Sequence, residues 1–195
     1  MVLGLAVDVA VKAAVLGLSP LSAGPARVLA LRRQGDGCPA ILYPATTLLI
    51  PAIWWQAGRP EPYPFLADIA AGLPFVLDAA GNVFGLFAIK GFDVLPHSAG
   101  WFFLSIAFGL AVAPLAGEPW LAFGLVVGFG AVVDILWEVG EFLLMRSGAS
   151  GLQLTYENTI QDLVSSLVGA ALGAVVVATV LWPAAGTPAT PFGWR

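Results

Sequence analysis

Apolar residues run along this chain in long unbroken stretches, separated by short clusters rich in Pro, Gly and charge. A hydrocarbon core about 30 Å thick is crossed by about 20 mostly apolar residues in a helix. Six stretches fit that requirement: Val2–Leu18, Ala40–Ala57, Phe65–Phe87, Val94–Ala113, Trp120–Met145 and Thr159–Trp182. The first carries Asp8 and Lys12 within its apolar run, so the count falls to five if it does not cross. The second closes on Trp54 and Trp55, side chains suited to a membrane interface. The fifth would extend about 39 Å at 1.5 Å per residue, so it tilts or protrudes. Continuous rather than alternating apolar runs exclude a β-barrel. The pattern predicts an all-α polytopic bundle in one domain, residues 1–183, followed by a loose Pro/Gly/Thr-rich tail, 184–195.

Composition agrees. Of 195 residues, 59% are hydrophobic and 10% charged, against roughly 25% charged in soluble domains. The net charge of −4 leaves no basic patch for phosphates, so a nucleic-acid partner is excluded and membrane lipids are the expected surroundings. The single Cys38 permits no internal disulfide and no thiolate cluster. The first 18 residues lack a basic leader and a small-residue cleavage site, so a cleaved signal peptide is not expected.

Orientation follows from the short loops. Arg27, Arg32, Arg33, Lys90 and Arg146 fall on one side; Arg59 and Arg195 fall on the other. The first side is expected to be cytoplasmic, in a cell (inner or plasma) membrane.

Twelve acids against eight bases is unusual for such a chain. Asp36, Glu61, Glu118 and Glu157 are loop charges and Asp8 belongs to the first segment. The remaining seven, Asp68, Asp78, Asp93, Asp134, Glu138, Glu141 and Asp162, lie inside or at the mouths of apolar spans. An Asp at a helix centre in the bilayer costs about 2.5–3.5 kcal/mol on insertion, so such residues need a partner or a use.

Their spacing is helical. Asp78 and Asn82, Asp93 and His97, and Asn158 and Asp162 are i, i+4 pairs; Asp134, Glu138 and Glu141 are i, i+4, i+7. Each set therefore lies along one helix face and is expected to point into the bundle. Because successive spans reverse direction, the Asp78, Asp93, Glu138/Glu141 and Asn158/Asp162 sets all fall at one end. They predict a polar cluster open to the cytoplasmic side. Local structure competes for several of these residues. Asp93 suits a helix N-cap, Asp162 a first-turn acid, and Asp68 a cap at the opposite end, outside the site. Ser165 and Ser166 suit back-bonding to the i−4 carbonyl. Trp101, Phe102 and Phe103 read as packing residues, and Gly169-x-x-x-Gly173 as a helix-packing face.

Asp93-x-x-x-His97 at one helix start, an acidic pair on the next helix and Asp162 with Gly169 and Gly173 on the last resemble the VanZ-like superfamily. Within it, Leu66-Ala67-Asp68 through Asp78-Ala79-Ala80-Gly81-Asn82 looks closest to the YjdF-like group of uncharacterised bacterial inner-membrane proteins. The resemblance covers about Phe65 to Leu181. The chain has Val94 where VanZ proper usually has Lys, Glu138-Val139-Gly140-Glu141 where it has Glu-x-x-Gln, and Ser166 where it has Asn. The resemblance implies a polytopic helical bundle with a polar site and no established reaction.

Nucleophile elbows, His-Glu-x-x-His, phosphate-binding loops and dinucleotide fingerprints are absent from the sequence. One His among carboxylates suits a divalent ion, with Asp93, His97, Glu138 and Asp162 as ligands. Glu141 and Glu138 are then the catalytic candidates, Glu141 as general base or as partner of His97, and Asp78, Asn82, Asp134 and Asn158 complete the polar cluster. The substrate expected for such an enzyme is a lipid or lipid-linked envelope precursor. A non-catalytic scaffold with internally paired acids and a proton- or ion-coupled transporter are the alternatives. The sequence shows no inverted repeat to favour the transporter.

Overall fold

A computed structural model describes residues 2–22, 38–148 and 155–182. Arg27, Arg32, Arg33, Asp36 and the tail 184–195 lie outside the described residues. The elements are α1 (Val2–Ser22), α2 (Cys38–Thr46), α3 (Leu49–Gln56), α4 (Phe65–Val83), α5 (Val94–Ala116), α6 (Pro119–Arg146) and α7 (Tyr156–Val176), which continues as a π-helical stretch, Val177–Leu181. No strand occurs among the described residues. Five helices, α1, α4, α5, α6 and α7, are long and apolar enough to cross a membrane.

These are not the five expected by dropping the first segment. α1 is one continuous 21-residue helix, and its polar pair is accommodated because Lys12 bonds both Asp8 and Asp68 inside the bundle. The second predicted span is instead broken at Thr47 and Leu48 into pieces of 9 and 8 residues. Pro51 has no N–H to offer the Thr47 carbonyl, four residues earlier. The chain turns there through Thr47 N–H to the Pro44 carbonyl and Leu48 N–H to the Ala45 carbonyl, at 3.2 and 3.1 Å. Thr46 and Thr47 hydroxyls donate to the Tyr43 and Pro44 carbonyls, each at 2.6 Å. The broken segment still runs alongside α4. Tyr43 packs with Val15 and Ala79 near the end of α4, while Ile50 joins the cluster holding Ala67, Ala70 and Ala71 from its first half.

The remaining boundaries shift for local reasons. α4 stops at Val83, four residues short of the prediction, and the chain turns through Gly85 at φ 68° into a short 3-10 turn, Leu86–Ala88. α5 runs on to Ala116, where Gly117 adopts φ 73° and ends it. α7 begins three residues early, because the Thr155 side chain accepts from Asn158 N–H at the N-cap.

Polarity is inverted relative to a soluble globule. Val132, Ile135, Leu136, Val139 and Leu143 of α6 and Val164, Val168 and Leu172 of α7 are exposed, while Asp8, Asp68, Asp134, Glu138 and Asp162 are buried. An apolar exterior around buried acids is the arrangement lipid demands.

Helix pairing follows small residues. A Cβ on Gly169 would stand 2.0 Å from the Ser98 carbonyl oxygen, and one on Gly173 would stand 2.7 Å from that of Phe102. With Asn158 beside Asp93 and His97 beside Asp162, α5 and α7 are parallel and in near backbone contact. α1 and α4 form a second parallel pair: Gly4 faces Phe65, Gly72 faces Val11, and Val15 meets Ala79. Each pair is joined by an antiparallel segment, α2–α3 in the first and α6 in the second. Two three-helix units of opposite sense result, meeting along α4 and α5.

Candidate functional site

α5 and α7 both begin at the end marked by Lys90 and Arg146, where α6 finishes. Gly91, at φ 81°, turns the chain into α5. Asp93 holds the N-cap position with helical dihedrals and no side-chain cap bond. Its carboxylate is used across the bundle instead, accepting from Asn158 Nδ2 at 3.2 Å. The expectation of Asp93 as a cap is therefore corrected: in a parallel pair its side chain reaches the neighbouring helix start. Asp162 is likewise not a first-turn acid, since α7 starts at Tyr156 and Glu157 fills that role.

One turn further in, His97 meets α7 on both ring nitrogens. Nδ1 lies 3.2 Å from Ser166 Oγ. Nε2 lies 3.7 Å from Asp162 Oδ1 and 4.0 Å from Asp93 Oδ1. Ser165 back-bonds to the Gln161 carbonyl at 2.7 Å, as expected, whereas Ser166 turns to the imidazole. The third wall is α6. Asp134, 2% exposed, brings a buried carboxylate to the same imidazole. Glu138, 6% exposed, has neither carboxylate oxygen hydrogen-bonded among the described residues.

Two groups around the same imidazole each place one ligand atom per residue within 4.8 Å of the others: Asp93, His97 and Asp162; and His97, Asp134 and Glu138. Of the four expected ligands, Asp93 and Asp162 group with His97, whereas Glu138 groups with His97 and Asp134; among the described residues no one group holds all four. Outside them, Asp93, Asn158, Lys90, Glu157 and Gln161 line a cavity of about 280 Å³, an oxygen-rich approach to the cluster.

Other expected members lie outside these two groups. Glu141 is half-buried and accepts from Trp137 Nε1 at 3.1 Å on its own helix. Asp78 is bonded by Tyr43 at 2.6 Å and by Asn82 Nδ2 at 3.1 Å, so the Asp78–Asn82 pair ties α4 to α2.

A second polar cluster at the opposite end was not read as one in the sequence. Lys12 Nζ bonds Asp68 Oδ2 at 2.5 Å and Asp8 Oδ2 at 3.0 Å. The Tyr63 hydroxyl donates to the same Asp68 oxygen. Burial, together with that bond, pushes the Tyr63 hydroxyl above its usual range, so it remains a proton donor. Asp68 caps nothing, the N-cap of α4 being Pro64 without a side-chain bond. The available signal was Asp8 four residues before Lys12 on an otherwise apolar helix; Tyr63 gave none.

These features define a class: an all-α bundle with the length and apolarity of a polytopic membrane protein, carrying acidic and histidine side chains gathered in its interior. No protein-family model, characterised protein or solved structure matches the chain.

Proposed function

We propose that this is a cell-membrane protein that binds one divalent cation at His97 on the cytoplasmic side and acts there on a lipid or lipid-linked envelope substrate. One observation carries the reading: His97 Nε2 faces Asp162 Oδ1 and Asp93 Oδ1 at 3.7 and 4.0 Å. Those separations exceed a hydrogen bond. They approach the spacing of ligands sharing an ion, since two atoms each about 2.1 Å from a tetrahedral centre lie about 3.4 Å apart.

Proton placement supports it. Ser166 Oγ, 3.2 Å from Nδ1, accepts from His97 Nδ1–H in this reading. Nε2 is then the ring nitrogen that offers a lone pair on the side of Asp93 and Asp162. Imidazole with carboxylates suits Zn²⁺, Mn²⁺ or Mg²⁺. Such an ion would supply Lewis acidity toward a phosphate or water. Glu138 has both oxygens available to take a proton, which makes it the preferred base; Glu141, nearer the mouth, is placed to pass the proton outward. The oxygen-lined cavity beside Asp93 supports entry from the inner leaflet and cytosol. A VanZ-like membership fits this reading and is part of the proposal, resting on the sequence motifs alone.

The test is metal content of protein purified in detergent, by mass spectrometry, for the natural chain, His97→Ala and Asp162→Asn. About one ion per chain, lost in both variants, is the expected result. No ion, or equal metal in all three, overturns the reading. The scaffold alternative draws support from the Asp78–Tyr43 and Asp68–Lys12 bonds, which are internal pairings. It requires His97→Ala and Glu138→Gln to unfold the bundle, whereas the cation reading expects folded proteins.

A further inference from the structure

The two three-helix units correspond in where they carry charge. The first helix of the second unit carries Asp93 and, four residues on, His97; the third carries Asp162, which faces His97. The first helix of the first unit carries Asp8 and, four residues on, Lys12; the third carries Asp68, which bonds Lys12. In both units first and third helices are parallel, so an Asp one turn before the central residue and an Asp near the start of the third helix flank it from two sides. Because the units run in opposite senses, the two clusters lie at opposite ends of the bundle. What differs is the central side chain. The Lys12 ammonium reaches into both carboxylates, whereas the shorter His97 ring stops 3.7 Å from the nearer one.

We infer that Asp8, Asp68 and Tyr63 form a second cation site, at the end of the bundle opposite His97, whose resident cation is the chain's own Lys12 ammonium. Three observations carry this. Asp8 and Asp68 are 4% and 3% exposed, so two carboxylates are held away from water around one positive group. Asp8 Oδ1 is buried without a hydrogen-bond partner among the described residues, leaving acceptor capacity beyond what the ammonium uses. The Tyr63 hydroxyl and ring both face the site, the hydroxyl donating to Asp68 and the ring lying 5.9 Å from Lys12 Nζ, an aromatic wall of the kind that favours ammonium ions. An ammonium with three donors fits two carboxylates and a ring face. The ligand class of the emptied site is therefore a primary alkylammonium ion or, with a histidine at position 12, a divalent metal.

The inference concerns a different cluster from the His97 site and does not require that site to bind metal. Lys12→Ala in the full chain is expected to lower the melting temperature in detergent by about 10 °C, as loss of one partner from a buried ion set does. Millimolar n-propylammonium, which replaces the deleted side chain, should restore most of that loss. It should not shift the natural chain or Lys12→Ala/Asp68→Asn, and tetramethylammonium at equal ionic strength should not substitute for it. Absence of rescue, or equal rescue by tetramethylammonium or in the double variant, overturns the proposal. Should Lys12→Ala not fold, Lys12→His in a His97→Ala background provides the second measurement. One Zn²⁺ per chain is expected there, at a site created at position 12, and zero Zn²⁺ overturns the proposal. Because His97 is absent from that background, the result is independent of whether the natural chain binds metal.

Discussion

His97 on α5 and Ser166 on α7 meet at 3.2 Å across two parallel helices, which fixes the rotation of the imidazole and aims its other nitrogen between Asp93 and Asp162. A hydrogen bond to the non-ligating nitrogen is how a protein sets histidine tautomer and basicity. Ser166→Ala is therefore expected to keep the fold and weaken divalent-ion affinity by about 10- to 100-fold, the range for loss of such a partner. Titration of purified protein with Zn²⁺ or Mn²⁺ checks it; unchanged affinity would remove Ser166 from the site.

Glu138 is buried with neither oxygen hydrogen-bonded among the described residues, beside the carboxyl groups of Glu141, Asp162, Asp134 and Asp93. Glu138→Gln removes one acid from that crowd at nearly constant volume. Stability should be unchanged or raised by about 1 kcal/mol, while activity on the proposed substrate is lost. Thermal unfolding provides the reading. A loss of several kcal/mol would instead identify Glu138 as a structural partner.

Gly169 lets α5 and α7 approach until a Cβ would stand 2.0 Å from the Ser98 carbonyl. The obstructing atom is backbone, so it cannot rotate away. Gly169→Ala should cost at least the roughly 1–3 kcal/mol typical of overpacking and separate Asn158 from Asp93 and Ser166 from His97. Melting temperature and ion affinity are expected to fall together. Gly124, whose Cβ would meet nothing within 4 Å, is the control: Gly124→Ala should leave ion affinity unchanged and should not lower the melting temperature, since Ala is the better helix former.

Tyr43 ties the broken α2–α3 segment to α4 through Asp78 at 2.6 Å. Tyr43→Phe keeps the ring that packs on Phe75 at 5.1 Å and removes only the hydroxyl. A cost of about 1.5–3 kcal/mol is expected for a hydrogen bond to a charged group, with faster amide exchange in α2. Ion binding at His97 should be unaffected, since Asp78 is not in either group around it. A drop in ion affinity would bring Asp78 into the site.

Most of the bundle was legible in the chain because the properties involved are local. Apolar run length specifies the spans, and i, i+4 spacing puts Asp93 with His97 and Asn158 with Asp162 on single helix faces whatever surrounds them. The reversal of successive spans was enough to bring Asp93, His97, Glu138 and Asp162 to one end. Mean hydropathy hid the break in the second span, since Pro51 is a matter of one missing N–H rather than of polarity. The Thr155 cap lies ahead of the apolar run that predicts a start at Thr159, so run length does not mark it.

The sequence alone therefore determined that the chain is an all-α bundle and which acids share a helix face, since both follow from the periodicity of one segment. The tertiary structure decided which faces meet. Lys12 finds Asp68 across 56 residues because Gly72 admits Val11 and sets α1 parallel to α4. His97 finds Ser166 across 69 residues because Gly169 and Gly173 bring α7 onto α5. Both pairings are set by close packing between segments far apart in the chain, where no local spacing specifies the neighbour.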